Sequence, residues 1–384
     1  MKIRIQAEHG YYFGQDVLDY FVAEYQWRAN YNASPDIQYG EPDPSAVNIA
    51  FVSMPEHIDS RLDQSDIILL DNVDEAFGRG TQALYDIFDI YPQSYLACNS
   101  YLHKSHHYYA KFNNRILNTM IAWSYHRRFY TEPAFPTSLE YRSRPKDAAS
   151  MIYINGRNRS WREYITRLLK QNVSRLPHHN VMHNDTVTST KFCWFEDPYD
   201  TVFREKCNTT LANDVINANP PENQWPPLPA GVSGRFGQIE FQDRFIDAFR
   251  NNAVIVFPET TWQNNILALN EKCLRCFMHQ RWAMPFGGAN MHSMLQDIGF
   301  YTAWYLLPPE LQLFDKELDH EQRWAKQCAA LNWLLDNPEV FNTTMARTIL
   351  LDNHVQSVVH SSSAGHKLYE IIDQHHVTQR KRIS

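Results

Sequence analysis

The feature that most constrains the fold of this chain is a rhythm. Short apolar runs recur along it, with helical stretches set between the later ones. MKIRIQAE at the start, VNIAFVS at 47–53, SDIILLD at 65–71 and SYLACNS at 94–100 each read as a strand. VLDYFVAEYQWRAN places Val17, Phe21, Val22 and Tyr25 on one helical face. Strands separated by helices do not pair through tight hairpins, so the expected class is α/β with parallel sheets. In such sheets ligands sit at the carboxyl ends of the strands.

The rhythm breaks once and restarts. TEPAFPTSLEYRSRPKDAAS at 131–150 is rich in Pro, Ser and charge and reads as a linker. The strand SMIYING follows, then a helix from Ser160 to about Gln171 whose buried face is Trp161, Tyr164, Ile165, Leu168 and Leu169. A chain of 384 residues exceeds the ~250–300 at which single cores stop growing, so two domains are expected. Residues 1–140 form the first and 148–350 the second. A Pro-rich irregular insertion occupies about 172–235, and a helix with a basic tail, QRKRIS, closes the chain over 351–384.

Composition removes several classes. With 43% hydrophobic and 21% charged residues the chain is not wholly disordered. A net charge of −7 argues against a general polyanion binder, so any nucleic-acid contact needs a local basic patch. Six cysteines scattered among apolar residues fit a reducing compartment. No apolar run has the length of a membrane span and the first residues do not read as a signal peptide, so the expected location is the cytoplasm. The 14% of aromatic residues fits a large core or a surface that stacks sugars or bases.

The densest chemistry lies in NEKCLRCFMHQRWAMPFGG, residues 270–288. Leu274, Phe277, Met278 and Trp282 follow one helical face, with Asn270 as N-cap and Glu271 in the first turn, where a carboxylate suits the dipole. Lys272 opposes that dipole. It is either a surface lysine or a cation beside an anion held by the helix N-terminus. Cys273 and Cys276 have no second pair at zinc spacing and read as buried, inert thiols; His279 lacks a partner at i+4. RWAMPFGG reads as a strand ending in the Gly287-Gly288 turn, and MHSMLQDIGF as a helix with Gly299 at its C-cap. Neither GxGxxG nor GxxxxGK[ST] occurs.

The run from FPETTWQ to LQDIGF resembles the C-terminal half of nucleotide-sugar glycosyltransferases of the GT-B type. It is most like α-1,3-fucosyltransferase-like proteins and related phage and bacterial sequences. The family pattern is an acid after a strand, Thr-Glu-Lys opening a helix, a strand ending in a small-residue turn, and a helix ending in Gly-Phe. Here these are Glu259, Asn270-Glu271-Lys272, Gly287-Gly288 and Gly299-Phe300. YINGRNRSWREYITRLL is similar to the segment that opens the second domain in such sequences. Asn270 departs from the family's Thr, and Trp161 stands where a polar residue is expected.

The resemblance implies a GT-B-like fold, two Rossmann-like domains with parallel sheets facing a central cleft. It implies that Lys272 binds a donor phosphate and that Glu271 accepts hydrogen bonds from the donor ribose. Arg157 and Arg159, and more weakly Arg162, would neutralise the departing diphosphate. Glu259, Gly287 and Gly288 complete the donor-binding set. No metal and no cofactor beyond the nucleotide-sugar co-substrate is implied, and LLDNVDE (Asp71, Asp74, Glu75) reads as a strand-end loop.

A general base is expected from the first domain, at the end of its first strand. Glu8 is the leading residue, with His9 beside it and Gly10 and Gly14 permitting close approach; Ser53, Glu56 and His57 after the 47–53 strand are alternatives. The acceptor is either a glycan or a hydroxymethylated pyrimidine in DNA. For DNA the basic segments at 125–130, 140–146 and 155–162 are the contact candidates. A competing reading is a non-enzymatic glycan- or protein-binding module that retains the fold.

Overall fold

A computed structural model of the chain describes residues 2–7, 36–52, 60–72, 86, 88–98, 100–106, 109–118, 150–155, 160–180, 252–259, 262–269, 271–361, 367–368 and 370–376. These residues divide into two compact units. The first comprises residues 1–137, 265–271 and 355–384, and the second 138–264 and 272–354.

In the first unit the strands are β1 (Lys2–Ala7), β2 (Asp36–Tyr39), β3 (Val47–Val52), β4 (Ile67–Asn72), β5 (Ser94–Cys98), β6 (Ser100–Leu102) and β7 (Ile116–Asn118). Six of them form one parallel sheet in the order β2-β1-β3-β4-β5-β7. The first five positions repeat the doubly wound order 2-1-3-4-5, with its switch point between β1 and β3. Burial follows position. Ile67 to Leu70 of the central β4 are fully buried, as a strand covered on both faces must be, whereas edge strand β2 is polar and largely exposed.

Polar pins lock the strand ends. Asn48 accepts from the Asp43 backbone N–H at 2.8 Å and donates back to the Asp43 carbonyl at 2.9 Å. After a short helix α1 (Tyr109–Phe112), Arg115 lies 4.2 Å over the Phe88 ring and donates to the carbonyls of Ser94, Phe88 and Tyr91 at 2.7, 3.1 and 2.8 Å. Three carbonyls are satisfied by one planar fork.

The second unit holds β8 (Met151–Asn155), α2 (Ser160–Asn172), β9 (His178–Asn180) and β10 (Val254–Pro258). The chain then lends β11 (Ile266–Ala268) to the first unit, where it pairs antiparallel with β6. It continues through α3 (Glu271–Met278), β12 (Trp282–Phe286), α4 (Met291–Asp297), α5 (Pro309–Gln312), α6 (His320–Asp336) and α7 (Thr344–Ser361). The sheet is parallel throughout, in the order β9-β8-β10-β12, so the 2-1-3-4 order appears again. Trp161, Ile165 and Leu169 on α2 share one core with Trp324, Cys328, Leu331 and Leu334 on α6, and Tyr164 meets Trp324 at a ring separation of 5.8 Å. At the start of α6, Asp319 accepts from the Gln322 backbone N–H at 2.9 Å, a side-chain N-cap.

The expected α/β class with parallel sheets is what folds. Several details differ. β2, β7 and β9 were not expected, because DIQY, ILN and HHN are too short or too polar to show an apolar run. β9 also places the first residues of the supposed insertion at 172–235 inside the second sheet. The single strand expected at 94–100 is two, β5 and β6, which pair into different sheets. Trp282 is not on the helical face of α3. The Arg281 N–H donates to Cys276 and the Gln280 N–H to Phe277, with Gln280 left-handed at φ 53, a Schellman closure that ends the helix at Met278.

The helix expected at 17–30 lies outside the described residues. Among them, no helix is long and apolar enough to cross a membrane.

Candidate functional site

In the second sheet the strand order reverses between β8 and β10, and ligands of open parallel sheets bind beyond the carboxyl ends at such a reversal. β8 ends there in Asn155, fully buried, and β10 runs into Glu259, 1% exposed. The Glu259 backbone N–H donates to the Phe286 carbonyl of β12 at 2.9 Å. Its carbonyl accepts from Arg162 Nη2 at 3.1 Å and Nε at 3.3 Å, so a buried guanidinium on the first turn of α2 holds the strand end.

The N-terminal turn of α3 stands beside this carboxylate. Burial raises the Cys273 thiol well above its usual range, and the Glu259 charge raises it further. The Cys276 thiol is raised the same way, although the Arg281 cation acts against the shift. Neither is a ready nucleophile or metal ligand, which is the inert behaviour expected from their positions. Lys272 is 6% exposed and is therefore not a surface lysine. The expected one-sided amphipathic helix is corrected too: Lys272 and Arg275 are buried alongside Leu274 and Phe277.

Gly287 and Gly288 follow β12, and packing explains both. A Cβ on Gly287 would lie 2.4 Å from Met291 Sδ and 3.4 Å from Glu259 Cβ. On Gly288 it would lie 1.8 Å from the Gln263 carbonyl oxygen. The helix start beyond them is already occupied by the chain's own anion. Asp315, 1% exposed, accepts from the backbone N–H groups of His292 and Ser293, both at 2.9 Å. The glycine turn therefore brings backbone close to Glu259, while the N-terminus of α4 serves a carboxylate from within the fold. Gly299 is left-handed at φ 88 one position past the cap, and the Phe300 N–H returns to Leu295 at 2.8 Å. Phe300 then stacks on Phe277 of α3 at 4.5 Å.

Of the residues marked from the sequence, Glu259, Lys272, Gly287 and Gly288 are described, and they gather at the carboxyl edge of this sheet with Arg162. Glu271 opens α3, as expected, but only its backbone is described. Arg157, Arg159, Asn270, Glu8, His9, Gly10, Gly14, Ser53, Glu56 and His57 lie outside the described residues. In the chain, Glu8 directly follows β1 and Ser53 directly follows β3, the two strands flanking the switch point of the first sheet.

Two residues of the site's frame were not marked from the sequence: Asp315 and Arg323. Neither sits in a motif. Asp315 acts on a helix more than 20 positions away, and Arg323 reads as one more charge on an amphipathic helix. Among the described residues no group of three or more His, Cys, Asp or Glu side chains is arranged to hold a metal ion.

No protein-family model matches the chain, and no curated protein sequence does. Solved structures do. A glycosyltransferase from Rickettsia africae is similar at 8% identity and a TM-score of 0.47, covering 97% of this chain and 98% of that one. An alpha1,3-fucosyltransferase is similar at 11% identity and a TM-score of 0.38, covering 95% and 90%. An alpha1,3-fucosyltransferase with GDP is similar at 10% identity and a TM-score of 0.33, covering 88% and 81%. These are likenesses of fold.

Proposed function

We propose that the chain is a glycosyltransferase that moves a sugar from a nucleotide-sugar donor to a glycan or to a hydroxymethylated pyrimidine in DNA. The observation that carries this reading is the position of Glu259. It directly follows β10 at the reversal of a parallel sheet, held by Arg162 and set beside the helix turn that carries Lys272. A carboxylate there accepts hydrogen bonds from hydroxyl groups, and an ammonium at a helix N-terminus attracts a phosphate.

In this reading Lys272 binds a donor phosphate and Glu271 accepts from the donor ribose. Arg157 and Arg159 follow β8 in the chain and stabilise the charge that builds on the leaving diphosphate. Gly287 and Gly288 keep the β12 turn close to Glu259. Glu8 takes the acceptor proton as general base, with His9 beside it, and no metal ion is needed. The reaction belongs to the cytoplasm.

A thermal-shift screen against nucleotide sugars tests donor and class together. One donor is expected to raise the melting temperature, and Lys272→Ala and Arg157→Ala to abolish the rise. If no nucleotide sugar shifts the wild type, the reading falls and a non-enzymatic binding module replaces it. A steep salt dependence of DNA binding selects the nucleic-acid acceptor, and absence of binding selects the glycan.

A further inference from the structure

Arg323 lies near the start of α6, yet it is 1% exposed and its guanidinium turns away from solvent. Nε donates to the Gly287 carbonyl at 3.0 Å. Nη1 donates to Asn264 Oδ1 at 3.0 Å and to the Glu317 carbonyl at 2.6 Å. Nη2 donates to His320 Nδ1 at 2.7 Å. The same Asn264 oxygen accepts from the Ala289 backbone N–H at 2.9 Å, and Asn264 Nδ2 donates to the Leu318 carbonyl at 2.9 Å. One cation thus ties together the loop after β10, the glycine turn after β12 and the segment leading into α6.

We infer that Arg323 is a positioning residue for the donor site, acting through Gly287 and Asn264. This rests on the donor-site reading above. The turn it fixes is the one whose Gly287 packs against Glu259, and the loop it fixes presents the Gln263 carbonyl that Gly288 must clear. A planar fork with five donors serves acceptors on three segments at once; a lysine ammonium placed in the same space reaches fewer of them. Held this way, Glu259 meets a donor without reorganisation of its surroundings, and a loose frame costs affinity although every contacting residue is present.

The test uses the full chain with Arg323→Lys and, separately, Asn264→Ala, a loop substitution that leaves the helices intact. Calorimetry with the nucleoside diphosphates GDP, UDP, ADP and dTDP, well below every variant's melting temperature, gives Kd. Hydrogen exchange at the Ala289 and Val256 amides reports the frame and the strand. Each variant is expected to weaken the best diphosphate about 10-fold and to speed exchange at Ala289, leaving Val256 protected. The double variant is expected to be little weaker than either single one, because both break one clamp. A purely structural role would lower stability and leave Kd unchanged. Folded variants that bind as tightly as the wild type overturn the positioning role and leave the donor site standing. A wild type that binds none of the four diphosphates overturns the donor site, and the role of Arg323 with it.

Discussion

Gly288 lies so close to Gln263 that a methyl group on its α-carbon would sit 1.8 Å from the Gln263 carbonyl oxygen. The obstacle is backbone, which cannot swing aside. Gly288→Ala is therefore expected to destabilise the second unit by more than ~2 kcal/mol, as forced overpacking does. Gly287→Ala meets the flexible Met291 side chain and is expected to cost about 1 kcal/mol. Urea unfolding of both variants checks the order, and equal losses would contradict it.

Asp315 caps a helix from a distant segment, and its removal leaves the buried His292 N–H and the partly buried Ser293 N–H without this acceptor. Asp315→Ala is expected to cost about 2 kcal/mol, and Asp315→Asn about half as much, since one oxygen remains but the charge is lost. Denaturant midpoints measured at one pH separate the two.

His292 is expected to make stability depend on acid. Burial pushes its pKa from 6.5 down to about 4, and its Nδ1 meets Thr302 Oγ1 at 2.7 Å. His320 is shifted down to about 4, mainly by burial and then by the Arg323 cation. Its Nδ1 must accept from Arg323, which requires a neutral ring. Between pH 6.5 and 4 the unfolded rings bind protons that the folded rings refuse. The stabilisation is complete above about pH 6.5 and is lost as pH falls towards 4. Replacing His292 with Asn is expected to flatten the urea midpoint between pH 7 and pH 4.5 relative to the wild type.

Cys273, Cys276 and Cys328 are buried, and burial pushes Cys328 up to about 12. Iodoacetamide at pH 8 followed by peptide mass spectrometry is expected to leave all three unmodified in the folded protein and to label them in urea. Rapid labelling of Cys273 in the native state would contradict the reading of the pair as buried, inert thiols.

What was legible in the sequence was whatever carries its own local signal. β3, β4, β8 and β10 announce themselves as apolar runs because central strands are buried on both faces, and β12, at the edge of its sheet, does so because its residues are buried too. The helix starting at Glu271 and the Gly299 turn follow from cap chemistry. What stayed hidden depends on partners far along the chain. β2 is polar because it sits at an edge, and β9 is three residues long. Lys272 looks like a surface residue until the packing around α3 closes over it. Glu259 was readable as an acid after a strand, whereas Asp315 and Arg323, which frame the same region, reach it from residues more than 20 positions away.

The pairing of β6 with β11 has a consequence for how this chain can be divided. Seven residues, 265–271, belong to the first unit although they are threaded between two halves of the second. Excision at residue 137 would strand β6 with an open row of N–H and C=O groups, a template for aggregation. It would also remove the closing segment from 355 onward, whose Lys367 donates to the Ile116 carbonyl of β7 at 2.9 Å. Neither unit is a module that gene fusion could lift out by a single cut, so the two are transmitted together or not at all.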